Sequence, residues 1–345
     1  MALSKSMKVT VVASLLVVAI GGIFYLNTPE SASATQSTDD AYIQADFTIV
    51  APQIAGKISQ VLVDDNQVVK QGDIIAIIDD RDFVAAVKTA AAQVVSAQAS
   101  INSLQAKLIH QASVIKQARA TLDANFFALK LANFNLERYR NLALDGSGTV
   151  QARQEAEAQV SIQQANLRKN EAGLLAAKQD KDIQYADIDK AKAVLQQANS
   201  ILDVANLTLS YTQISAPIDG IVGKKSLRVG SYVNPGVPLL AVVPLDEVYV
   251  YANFRETQLA NVTAGQLVNI AVDALPGTVL TGHVDSIAPA SGVSYSAVAP
   301  HNATGNFTKI VQRLQVKINI DDGQADTAQL RVGMSVVPTI STNNG

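Results

Sequence analysis

The chain of 345 residues contains no cysteine and no tryptophan. Without cysteine there can be no disulfide scaffold, thiol nucleophile or cysteine zinc site, nor a lipoprotein anchor, which is built on that residue. Aromatic residues amount to only 5% and charged residues to 17%. Alanine, valine, glutamine and asparagine make up the bulk, a mix that suits long helices packed through small residues better than one large aromatic core. The formal net charge is −3, with no basic block beyond the short N-terminus. Nucleic acid needs a lysine- and arginine-rich surface, so the expectation is no nucleic-acid partner. The three histidines, His110, His283 and His301, share no metal-ligand spacing. The paired carboxylates Asp64-Asp65, Asp79-Asp80 and Asp321-Asp322 sit in turn-like contexts. No catalytic constellation emerges, so no enzyme activity, cofactor or metal is expected.

What the chain does have begins with Val9–Leu26, eighteen residues without a charge, preceded by Lys5 and Lys8. At a rise of 1.5 Å per residue the run reaches about 27 Å, close to a bilayer's hydrocarbon thickness. The flanking lysines place residues 1–8 in the cytoplasm and the body outside. Ala32-Ser33-Ala34 offers a signal-peptidase site as the rival reading, but the run is longer than a typical signal h-region and the site lies well beyond its end. The expectation is a single-pass anchor at 9–26. Residues 27–38 are small and polar and read as a linker, and 39–49 as a strand joining a later barrel.

Two stretches then resemble each other, one from Ala51 and one from Ala216. Both open on Ala-Pro, and Gly56, Ile58, Val69 and Gly72 match Gly220, Val222, Val233 and Gly236 in step. Each alternates apolar and polar residues over short runs split by turn residues, the pattern of half-buried strands. Neither copy is large enough to close a core, whereas two facing each other can. The halves are placed at 50–80 and 210–245.

Between them, residues 81–209 carry a seven-residue repeat. Val87, Val94, Ile101, Leu108, Ile115, Leu122, Leu129 and Leu136 are apolar at every step, and Val160 to Leu209 keep the period with one interruption at Lys181. Ala90, Ala97, Ala118 and Ala132 occupy neighbouring seam positions. This is the signature of a left-handed coiled coil. Asp145-Gly146-Ser147-Gly148 interrupts it near its middle, so two arms of about 90 Å fold back antiparallel around a turn at 145–148. Residues 246–345 are rich in strand signals punctuated by glycine and proline, which suggests a small antiparallel β-barrel and a C-terminal tail. The fold class is mainly β plus long α.

The order of anchor, half-domain, hairpin, half-domain and barrel resembles the HlyD-like membrane fusion protein family of periplasmic adaptors, with the split halves similar to those of a lipoyl or biotinyl carrier domain. Thr38-Asp39-Asp40-Ala41-Tyr42, Asn253–Gln258 and the stretch 302–313, NATGNFTKIVQR, are similar to motifs of EmrA-type multidrug efflux adaptors. The resemblance implies a non-enzymatic adaptor of a tripartite system in a Gram-negative inner membrane. It would bridge a major-facilitator transporter and a TolC-like outer-membrane channel, with a ring of three or six copies around the path. It also implies a channel-docking tip, to which Arg138, Leu142 and Thr149 correspond in spacing, threonine standing where the family pattern has serine. A true carrier domain would need an exposed lysine in its turn, and Asp79-Asp80-Arg81-Asp82 has none. The alternatives are an adaptor of ABC-driven type I protein secretion and a coiled-coil tether without transport.

Overall fold

The computed structural model describes residues 30–295 and 310–342, together with Ser14, Leu16 and residues 18–20. Those five early residues are helical. Most of the apolar run at 9–26, and residues 302–309 of the C-terminal motif, lie outside the described residues. Among the described residues no helix is long and apolar enough to cross a membrane. The chain divides into two compact units, of which one is the helical segment Asp79–Gln213.

That helical unit consists of α1 (Arg81–Leu144) and α2 (Val150–Ser210), packed against each other. The stretch from Arg81 to Leu144 holds neither glycine nor proline, so nothing interrupts the backbone ladder of α1. The fully buried seam positions are mostly alanines, among them Ala90, Ala97 and Ala132 on α1 and Ala156, Ala177 and Ala198 on α2. A two-helix rod can cover a methyl group completely, whereas the larger heptad leucines stay half-exposed. One polar side chain joins the seam. Gln111 is buried and donates from Nε2 to the Ala177 carbonyl at 2.8 Å. A single polar partner at a seam position pins the register of the two arms.

In the β-rich unit, the two sequence copies form a strand-exchanged sandwich. Its strands are β3 (Thr48–Val50), β4 (Gly56–Val61), β5 (Val68–Val69), β6 (Ile74–Ile78), β7 (Gln213–Ser215), β8 (Gly220–Gly223), β9 (Tyr232–Val233) and β10 (Leu240–Val243). The sheet orders are β3-β10-β8-β5 and β7-β6-β4-β9, so each sheet takes two strands from either copy. The internal symmetry reaches individual hydrogen bonds. Gly72 N–H donates to the Ala216 carbonyl at 2.9 Å and Gly236 N–H to that of Pro52 at 3.1 Å. Asn66 and Gly230, also equivalent, both sit in the left-handed region and donate to Val222 and Ile58. The core holds Ile58, Ile75, Ile78, Val222 and Val242 from both copies.

The remaining strands are β1 (Thr35–Ser37), β2 (Ala41–Gln44), β11 (Tyr249–Arg255), β12 (Leu267–Val272), β13 (Val279–Ile287), β14 (Arg313–Ile320) and β15 (Val336–Ser341). They make one sheet in the order β1-β15-β12-β13-β14-β11-β2. It closes on itself, because Ile43 N–H donates to the Met334 carbonyl and Gly333 N–H to that of Ile43, just before β15 begins. Phe254, Ile43, Ile270, Ile318 and Ile340 fill the barrel and are fully buried. β1 falls in the stretch read from its composition as a linker. Its one inward residue, Gln36, is polar, as is Thr38 just after the strand; both are buried because each finds a carbonyl, of Glu30 at 2.8 Å and of Asn253 at 3.0 Å.

Candidate functional site

At the hairpin turn, α1 ends in a Schellman arrangement. Ser147 N–H donates to the Leu142 carbonyl at 2.9 Å and Gly146 N–H to that of Ala143 at 3.3 Å, with Gly146 at φ +73°. The left-handed residue costs little only because it is glycine. Gly148 then packs so closely on the last turn that a Cβ there would lie 3.0 Å from Leu142 Cβ. Thr149 caps α2, its hydroxyl oxygen accepting from Ala152 N–H at 3.1 Å.

The structure therefore brings the three tip residues to a single short segment. Leu142 contributes its carbonyl to the turn and leaves its side chain 38% exposed. Arg138 is exposed, donates from Nη2 to Asn135 Oδ1 at 3.1 Å and stacks over the Tyr139 ring at 5.3 Å. The Thr149 hydroxyl oxygen is used in the cap, which leaves its proton to donate outward. Sequence reading missed that this surface continues along α1. Phe127, Leu131 and Phe134 are each more than half exposed, and their spacing of four and three residues puts them on one face with Arg138 and Leu142. The signal was present as apolar residues out of step with the heptad.

A second cluster gathers residues from all three motif stretches. Asn253 N–H donates to the Asp40 carbonyl at 2.8 Å, and Asn253 Nδ2 to Asp40 Oδ1 at 3.2 Å. Arg313 Nη1 donates to Asp40 Oδ2 at 2.8 Å. Gln258 Nε2 donates to the Ser37 carbonyl at 3.1 Å, while its Oε1 accepts from Arg255 N–H at 3.0 Å. These bonds clasp β1 and β2 to the end of β11. Residues far apart in the chain are thereby explained as one fastening, with each exposed ion pair worth little alone.

Elsewhere, His110 is an exposed residue of α1, His283 pairs with Asp321 at 2.7 Å on the barrel surface, and His301 lies outside the described residues. Among the described residues no group of three or more His, Cys, Asp or Glu is placed to hold a metal. Arg81, at the position where a carrier domain would bear its lysine, is exposed and pairs with Asp79 at 2.6 Å, which raises its pKa.

Residues 47–245 match the family described as RND MFP, barrel-sandwich hybrid domain, and residues 247–341 match the AAEA-like beta-barrel domain. The chain belongs to the membrane fusion protein family. This membrane fusion protein is 35% identical over 88% of its length to the colistin resistance protein EmrA of Acinetobacter baumannii, covering 86% of that protein. It is 33% identical to the multidrug export protein EmrA of Escherichia coli K12, over 90% of its own length and 77% of the relative's. A MacA–MexA chimeric protein carrying the Pseudomonas aeruginosa MexA α-hairpin domain shares the fold at a TM-score of 0.53 and 22% identity, over 90% of this chain and 82% of that one.

Proposed function

We propose that the protein is a periplasmic adaptor of a tripartite multidrug efflux system, linking an inner-membrane major-facilitator transporter to a TolC-like outer-membrane channel. The observation that carries the reading is the similarity to export and resistance proteins along about nine-tenths of the chain. The chain is held in the inner membrane by Val9–Leu26, with residues 1–8 cytoplasmic and the body in the periplasm. The length of that uncharged run and the two lysines before it support the anchor. The protein acts as a ring of three or six copies, with the strand-exchanged sandwich as its most compact module.

The tip formed by Arg138, Leu142 and Thr149 docks on the channel, offering a cation, an apolar contact and a hydroxyl, with Phe134 and Leu131 extending the apolar part along α1. The domain limits proposed are 39–49 for the strand entering the barrel, whose last two residues already belong to β3 of the sandwich, 50–80 and 210–245 for the two halves, 81–209 for the hairpin and 246–345 for the barrel and tail. Purification of the full chain from native membranes in mild detergent tests the reading. A co-purifying major-facilitator transporter is expected. An ABC transporter instead would redirect the assignment to type I protein secretion, and the absence of any transporter would leave a tether.

A further inference from the structure

One rim of the barrel differs in character from the other. Ile287, Val293, Tyr295, Ile310 and Val311, at the ends of β13 and β14 and in the segments that follow or precede them, are 36%, 42%, 71%, 62% and 41% exposed. The opposite rim, where β12 and β14 end, carries Asp273, Asp321, Asp322 and Asp326. On the apolar rim the charges are mostly engaged. Arg255 pairs with Glu30 at 3.0 Å and Arg313 with Asp40 at 2.8 Å, Asp285 accepts from Asn319, and Glu256 is half-buried.

The apolar rim is also where the N-terminal segment enters the fold. Glu30 accepts from the Thr257 hydroxyl as well as from Arg255, and Asn261 Nδ2 donates to the Ser31 carbonyl at 2.9 Å. Arg255 faces Arg313 in the β11–β14 register, and Glu256 N–H donates to the Gln312 carbonyl at 2.9 Å. Ala288 N–H donates to the Gln315 carbonyl at 2.7 Å. The Glu30 clamp, the 310–313 entry to β14 and Ala288 are thus joined by hydrogen bonds along a single edge, and the turn at Gly292–Tyr295 packs beside β14. Glu30 follows Leu26, the last residue of the apolar run, by four positions. Four residues reach at most about 14 Å even when fully extended. With the run spanning the bilayer, Glu30 is held within that distance of the point where it emerges, and the rim lies on the edge to which Glu30 is bonded.

We propose that this rim is a membrane-contact surface, whose Val293, Tyr295, Ile310 and Val311 side chains lie in the interfacial zone of the outer leaflet of the inner membrane. Tyrosine and aliphatic side chains suit that zone, the first because its ring is apolar and its hydroxyl is wet. The acidic rim is turned the other way, where anionic headgroups do not oppose it. The proposal rests on the anchor reading of Val9–Leu26.

The absence of native cysteine makes the test direct. Val293→Cys, Tyr295→Cys, Ile310→Cys and, on the acidic rim, Asp322→Cys are made singly in the full chain and labelled with an environment-sensitive fluorophore. They are reconstituted without transporter into phosphatidylethanolamine–phosphatidylglycerol vesicles bearing a nitroxide near the headgroup. The first three labels are expected to shift to the blue and to be quenched by the nitroxide, and the Asp322→Cys label to do neither. Rim labels as unquenched as the Asp322→Cys label, in chains that float with the vesicles, would overturn the proposal and leave the anchor standing. A shift that appears only when the transporter is added would assign the rim to a protein partner and overturn it equally. Chains that do not float would refute the anchor, and the rim proposal with it; flotation reads that outcome independently of fluorescence.

Discussion

Replacing Leu142 with aspartate separates a docking surface from a mere hairpin end, because the cost to folding can be bounded beforehand. Full burial of a leucine is worth about 1.5–3 kcal/mol, so a side chain with roughly three-fifths of its surface covered contributes about 1–2 kcal/mol. Its 38% exposure sets that fraction. A carboxylate in the last turn of α1 also meets the negative end of the helix dipole, for about 0.3–1 kcal/mol more. The turn's own hydrogen bonds run to the Leu142 backbone carbonyl and survive the change. The penalty, about 3 kcal/mol at most, is confined to the end of a 64-residue helix whose seam is buried elsewhere. The hairpin should therefore fray locally and remain folded, while the charge enters an apolar contact with the channel. Drug resistance is expected to be lost, with expression, transporter co-purification and helical circular dichroism unchanged. Leu142→Met, which keeps the volume and the apolar surface, should retain resistance. Full resistance and full channel crosslinking in the aspartate variant would refute the docking role.

Thr149→Ala removes the cap to Ala152 N–H and should cost about 1 kcal/mol at the start of α2, seen as faster amide exchange there; Thr149→Ser should restore both the cap and resistance. Gly220→Ala places a Cβ 2.6 Å from the Val243 carbonyl oxygen and should destabilise the sandwich by about 1–3 kcal/mol in urea unfolding. Gly236→Ala meets nothing within 4 Å, and its φ of +77° limits the cost to about 1–2 kcal/mol. Burial first, and hydrogen bonds to Asp46 and Tyr251 second, raise the Tyr249 hydroxyl above its ordinary pKa of 10.0. The folded state therefore prefers the protonated phenol. Its contribution is whole below pH 10.0 and declines as pH rises through the higher folded value. Absorbance titration should show one tyrosine ionising late, a component absent in Tyr249→Phe.

The long helices were legible because heptad spacing and the lack of glycine and proline act locally, and Asp145–Gly148 announced its own turn. The pairing of the two copies was less so. Their likeness predicted two facing halves, yet nothing local indicates that β5 leaves its own copy to pair with β8, since exchange depends on the whole sandwich. β1 escaped notice because its inward residue, Gln36, and Thr38 just after it are polar, and their burial is allowed only by carbonyls that become neighbours after folding. Gly282 lies inside β13, where a Cβ would be 2.4 Å from the Asn319 carbonyl oxygen. The tip residues rested on resemblance, and their roles in the turn, as capping hydroxyl and accepting carbonyl, follow only from backbone geometry.

Strand exchange also dictates an order of events during synthesis. Neither sheet can be completed while only the first copy has emerged, because β10, β8 and β9 are still to come. About 130 residues separate β6 from its neighbour β7, and closing so long a flexible loop costs ~4 kcal/mol of entropy. The two arms remove most of that cost. At 64 and 61 residues they are nearly equal, so zipping them from the turn returns the chain to its starting point and delivers β7 to β6. Helices with a local turn form in microseconds, long before distant strands can find each other. On this view the hairpin is a folding chaperone built into the chain, and its arm lengths are constrained by the sandwich as well as by the span it must cover.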